Sequence, residues 1–176
     1  MSIGLGCDDF NIAVYIANTP AMPEYQHLTQ VSALTSGEIT AIGQACGNGW
    51  RKVFNVYAKL LYALPKDHFA YAMVAPTWQE YRDNYLLQVN SQTALLFSPP
   101  CLTDNSQTLH VICGRTYAKQ LIARGELQAQ LTWLDEEFAI DKNNKVIVCP
   151  YFDYRQLSNA KIARLSVMLT ALKTSH

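Results

Sequence analysis

Four short apolar runs limit what this chain can fold into: NIAVYIA at 11–17, TALLF at 93–97, LHVIC at 109–113 and KVIVC at 145–149. Each stops at a residue that turns the chain or blocks its continuation, namely Asn18-Thr19-Pro20, Ser98-Pro99-Pro100, Gly114 and Pro150. Unbroken apolar runs of four to seven residues fit strands buried on both faces, because a strand with one wet face alternates. Strands of that kind separated by helical stretches predict an α/β fold: a central, mostly parallel four-stranded sheet with helices on both sides.

The intervening segments supply those helices. WRKVFNVYAKLLYAL at 50–64 places Val53, Phe54, Tyr57, Leu60, Leu61 and Leu64 on one face, and NAKIARLSVMLTALK at 159–173 does the same with Leu165, Met168, Leu169 and Leu172. Ser36 is the candidate cap of a helix beginning near Glu38, and Gly43, Gly47 and Gly49 divide that run from the next. Thr77 caps a helix over WQEYRDNYLLQV, and Gly114 turns the third strand into TYAKQLIARG, where Gly125 ends the helix. The stretch after Asn18 reads as a long connection, 67–75 reads equally as short strand or buried loop, and 103–108 is a polar tip. LTWLDEEFAIDKNN suggests an antiparallel excursion that turns at Asn143-Asn144.

With 176 residues, about half of them apolar, the chain makes one domain rather than two. Its 14 basic and 14 acidic residues leave no global field to hold nucleic acid, so any such site is a local patch. No run is long enough to span a bilayer, and MSIGLGCDDF lacks the pattern of a signal peptide, so a cytoplasmic location without membrane association is expected. The five cysteines are scattered without a C-x-x-C pair, and the four histidines do not cluster. No metal site and no cofactor is expected. His110, inside a strand, reads as a hydrogen-bonded core residue, whereas His27 lies in the long first connection.

P-loop, G-x-G-x-x-G, H-E-x-x-H and G-x-S-x-G signatures are all missing. The site is therefore sought from topology. In open parallel sheets ligands bind beyond the carboxyl ends of the strands, which points to Asn18-Thr19-Pro20, Ser98-Pro99-Pro100, Gly114-Arg115 and Pro150-Tyr151-Phe152. These tips, with Arg155 close by, offer an amide, hydroxyls, aromatic rings and guanidinium groups, a set suited to a planar polar ligand.

The succession IAVYIANTP, GNGWRKVFNVYAKL, TALLFSPPCLT, LHVICGRTYAKQL and VIVCPYFDYRQLSNAKIARL resembles the uracil-DNA glycosylase superfamily, most of all its mismatch-specific branch. The resemblance implies a three-layer αβα sandwich that extrudes a damaged or mismatched base from DNA and hydrolyses its N-glycosidic bond. Asn18 then matches the residue that positions water, and Tyr25, Phe97, Ser98, Tyr151 and Phe152 are the base-binding candidates. Arg115, Arg155 and Lys161 become DNA-phosphate contacts, Arg155 from the 151–158 loop. The chain departs from the superfamily at Tyr151-Phe152-Asp153, where most members carry His or Asn followed by Pro and Ser, and at Ser98, where several branches carry Asn. Glu24 does not stand where an acidic residue follows the first strand. Two other readings stay open: a catalytically silent relative that binds a nucleotide or other planar molecule, and a protein-interaction module with an exposed apolar patch.

Overall fold

The computed structural model describes residues 1–102 and 107–175, so most of the polar tip expected at 103–108 lies outside the described residues. In chain order the elements begin with β1 (Gly4–Gly6), β2 (Ile12–Tyr15), α1 (Pro23–Gln26), β3 (Val31–Ser32), α2 (Glu38–Cys46) and α3 (Asn48–Ala63). A short 3-10 turn (Tyr71–Met73) leads to α4 (Trp78–Asn84), β4 (Thr93–Leu96), β5 (Leu109–Cys113) and α5 (Arg115–Ala123). The chain closes with β6 (Thr132–Trp133), β7 (Ala139–Asp141), β8 (Val146–Cys149) and α6 (Asn159–Thr174).

All the strands join one mixed, eight-stranded sheet in the order β3-β1-β4-β2-β5-β8-β7-β6. Its centre, β4-β2-β5-β8, is parallel throughout and consists of the four apolar runs. The expectation of four strands is corrected at both edges. β1 adds antiparallel to β4 and carries β3 beside it, while the β6–β7 hairpin extends β8 antiparallel. The edge strands have two or three residues each, too few to register as a periodic pattern. In β1 the reason is sharper. Gly6 has φ +114°, and a Cβ there would meet the Thr93 carbonyl oxygen at 2.2 Å, so the strand docks because it lacks a side chain.

Successive residues of the central strands point to opposite sides and divide the core in two. Ile12, Val14, Leu95, Val111 and Ile147 face a layer built from α2, α3, α4 and α6. Ala13, Tyr15, Ala94, Leu96, Ile112 and Val148 face α5 through Tyr117, Ala118 and Leu121. Helices thus cover both faces, and the α/β class expected from the sequence is the one observed. α3 is the main buttress: its inner side chains are buried, and Tyr57 Oη donates to the Ala94 carbonyl of β4 at 2.8 Å.

The helix boundaries hold with local corrections. The run from Glu38 breaks at Gly47 as expected, but Gly37 rather than Ser36 is the N-cap of α2, and the Glu38 carboxylate instead accepts from Thr35 N and Thr35 Oγ1 at 2.9 and 2.8 Å. Thr77 does cap α4, accepting from Glu80 N at 3.1 Å, although that helix stops at Asn84. The 67–75 stretch holds the 3-10 turn instead of a strand, and the long first connection contains α1 and β3. Among the described residues no helix is long and apolar enough to cross a membrane.

Candidate functional site

Three of the four parallel strand tips open into one cleft of about 570 Å³, the size of a small-molecule site. After β2 come Ala17 and Asn18; after β5, Gly114 leads into the first turn of α5 with Arg115, Thr116 and Tyr117; after β8 come Pro150 and Tyr151. Gln120 of α5, Gln156 of the 151–158 loop, and Glu136 and Glu137 from the β6–β7 turn complete the wall. Gly114 sets the geometry here. Its φ of +102° swings α5 away from the strand, and a Cβ would lie 3.8 Å from the Tyr151 ring.

Asn18 and Tyr151 meet across the cleft floor, the Asn18 amide Nδ2 donating to Tyr151 Oη at 3.4 Å. Burial pushes the Tyr151 hydroxyl above its ordinary pKa, so it stays protonated at neutral pH and keeps its own O–H to donate. With Nδ2 engaged, Asn18 presents its carbonyl oxygen as an acceptor. An acceptor and a donor side by side suit the edge of a planar heterocycle, or a water and a carbonyl held together.

The rim is fixed by charge. Arg164 Nη1 lies 2.6 Å from Asp135 Oδ2, and the backbone N–H groups of Glu137 and Phe138 donate to Asp135 Oδ1 at 2.8 Å. The guanidinium and these two N–H groups hold the Asp135 carboxyl down at about 2. Lys161 Nζ pairs with Glu137 at 2.8 Å. Glu136 makes no ion pair among the described residues; its carbonyl accepts from Arg115 Nη1 at 3.2 Å, which lays the exposed Arg115 side chain along the lip.

Apart from Lys161 at the rim, the remaining candidates lie elsewhere. Ser98 Oγ accepts from Ile3 N at 2.9 Å and Phe97 N donates to the Ile3 carbonyl, so the segment entering β1 covers the fourth tip. The Phe97 ring packs edge-on against Trp50, 6.4 Å between centroids. Tyr25 is buried, and its hydroxyl donates to Glu38 Oε2 at 2.8 Å. Phe152 has no exposed surface and packs against Tyr57 at 5.9 Å, which leaves no face for a base to stack on. Arg155 is exposed beside Tyr154, and Lys161 serves Glu137. His27 is exposed at the end of α1. His110 is a core residue as expected, its Nδ1 2.7 Å from Tyr15 Oη.

Glu136, Glu137, Thr116, Gln120 and Gln156 are the wall residues that sequence reasoning missed. The acidic triplet 135–137 between two short strand-forming segments was the available signal for the first two. A family model described as a family of unknown function (DUF6942) matches residues 3–170. The chain belongs to the DUF6942 family. The match spans both core layers and every strand tip of the cleft. No curated protein and no solved structure matches the chain.

Proposed function

We propose that this DUF6942 chain binds one nucleobase of DNA in the strand-end cleft and hydrolyses its N-glycosidic bond. The observation that carries the reading is the Asn18–Tyr151 pair on the floor of a cleft bounded by the Arg115 lip and the Glu136 rim. Asn18 Oδ1 accepts a hydrogen from water and turns the water oxygen toward the anomeric carbon. The new C–O bond forms as the C–N bond breaks, and the base leaves with the bonding electron pair. Tyr151 O–H and the Arg115 guanidinium meet the charge developing on the base. Glu136, which forms no ion pair among the described residues, takes the proton that the water gives up. The work is placement more than proton abstraction, which fits an amide at the central position.

The test is incubation of the protein with labelled DNA carrying uracil, mismatched uracil or an alkylated base, scored for abasic sites. Base release that falls about a hundredfold or more in Asn18→Ala supports the reading. Release unchanged in that variant removes Asn18 from the mechanism. No release with any of these bases overturns hydrolysis; base binding that persists would then leave a ligand-binding relative of the fold.

A further inference from the structure

We infer that the outer face of α3, extended by the 151–158 loop and the start of α4, is a docking strip for single-stranded nucleic acid. It stands on the surface chemistry of α3 and does not require the cleft to be catalytic. α3 carries Arg51, Lys52 and Lys59 and no acidic residue. Arg155 and Arg82 join them at its flanks, so a chain balanced at 14 against 14 gathers five of its cations here. Two carboxylates answer them, Asp153 at 3.6 Å from Lys52 Nζ and Asp83 at 2.8 Å from Arg82 Nε. Arg51, Lys59 and Arg155 form no ion pair among the described residues. Arg51 and Lys52 also sit in the first two turns of the helix, where the dipole disfavours cations, so helix stability does not account for them.

Aromatic rings lie between these cations. Tyr154, half exposed, has Lys52 Nζ at 5.1 Å and the Arg155 guanidinium at 5.7 Å from its ring centre. Trp78 has Lys59 Nζ at 5.0 Å and the Arg82 guanidinium at 5.4 Å. A shallow groove of about 220 Å³ runs along the helix between Asn48 and Lys59 with Tyr154 on its wall. From Arg51 to Lys59 the helix rises about 12 Å, the span of roughly three nucleotides. Cations for phosphates alternating with rings for bases is the chemistry of single-strand binding. An acidic peptide would meet the cations but leave the rings without partners.

The measurement is fluorescence anisotropy of a labelled oligothymidylate of about twelve nucleotides over a range of salt concentrations. The intact protein is expected to bind with a log–log salt slope of about −2 to −3. The triple variant Arg51→Ala/Lys59→Ala/Arg155→Ala should lose at least about tenfold in affinity and flatten the slope by about 2. Tyr154→Ala should weaken binding about fivefold or more with the slope preserved. Unchanged far-ultraviolet circular dichroism and unfolding midpoints would show that both variants fold. Absence of binding at low salt, or a triple variant equal to the parent, overturns the assignment. So does heparin binding as tight as the oligonucleotide with Tyr154→Ala silent, and so does binding to phosphatidylserine vesicles but not to the oligonucleotide. Base release is a separate readout on the intact protein: oligothymidylate binding without base release contradicts hydrolysis and leaves the strip standing, whereas base release without oligothymidylate binding overturns the strip alone.

Discussion

Tyr151 and Phe152 are adjacent in sequence and point into different worlds. Tyr151 reaches the cleft and touches Asn18, while Phe152 is sealed beneath α3 against Tyr57. Phe152→Ala is therefore expected to cost about 3–5 kcal/mol in urea unfolding, whereas Tyr151→Phe should leave stability within about 1 kcal/mol and lower base release. His110 gives a second test at this scale. Burial pushes its imidazole down to about 4, so the folded state keeps it neutral while the unfolded chain protonates near 6.5. The unfolded state binds the extra proton between those values, so this contribution is complete above about pH 6.5 and is lost as pH falls toward 4, by about 3 kcal/mol in total. Unfolding free energies measured across that window should flatten in His110→Gln; an unchanged slope would mean that the ring titrates freely in the folded protein.

Among the elements, legibility followed length and apolar content. IAVY, TALL, LHVIC and VIVC announced the central strands because each is buried on both faces. β1 stayed hidden because glycine, which has no strand preference, is what its packing against β4 requires. That omission had a consequence at the site: the chain entering β1 occupies the tip of β4, which is why Ser98 and Phe97 do not reach the cleft. Gly6→Ala should cost about 3 kcal/mol or prevent β1 from docking, through both the backbone clash and the positive φ. Lys145 illustrates another feature invisible to periodicity. It is buried, and its ammonium donates to the carbonyl of Leu172 and, at 3.3 Å, to that of Ser175, tying the end of α6 to the start of β8. Lys145→Met keeps the stem but removes both bonds, leaving the Leu172 carbonyl only the Ser175 Oγ–H at 3.1 Å, with an expected loss of about 2 kcal/mol and early exchange of amides in the last turn of α6.

For the whole molecule, the topology rule located the cleft because three parallel strands end together there, and the rule needs no motif. It did not find Glu136 and Glu137, which arrive from the opposite edge of the sheet through a hairpin fastened by Asp135 and Arg164. The two core layers share the central strands, so far-ultraviolet dichroism and tryptophan fluorescence should report one coincident unfolding transition. Trp133 senses the α5 side, and Trp50 and Trp78 the other. The claim that the strand-end cleft receives the base is tested most directly by amide chemical-shift mapping of the Asn18→Ala protein with a uracil-containing oligonucleotide, which that variant should bind without consuming. Shifts at Ala17, Gly114, Thr116 and Tyr151 that vanish when the uracil is replaced by an abasic site are the predicted result. A silent cleft, with every perturbation on other surfaces, would contradict it.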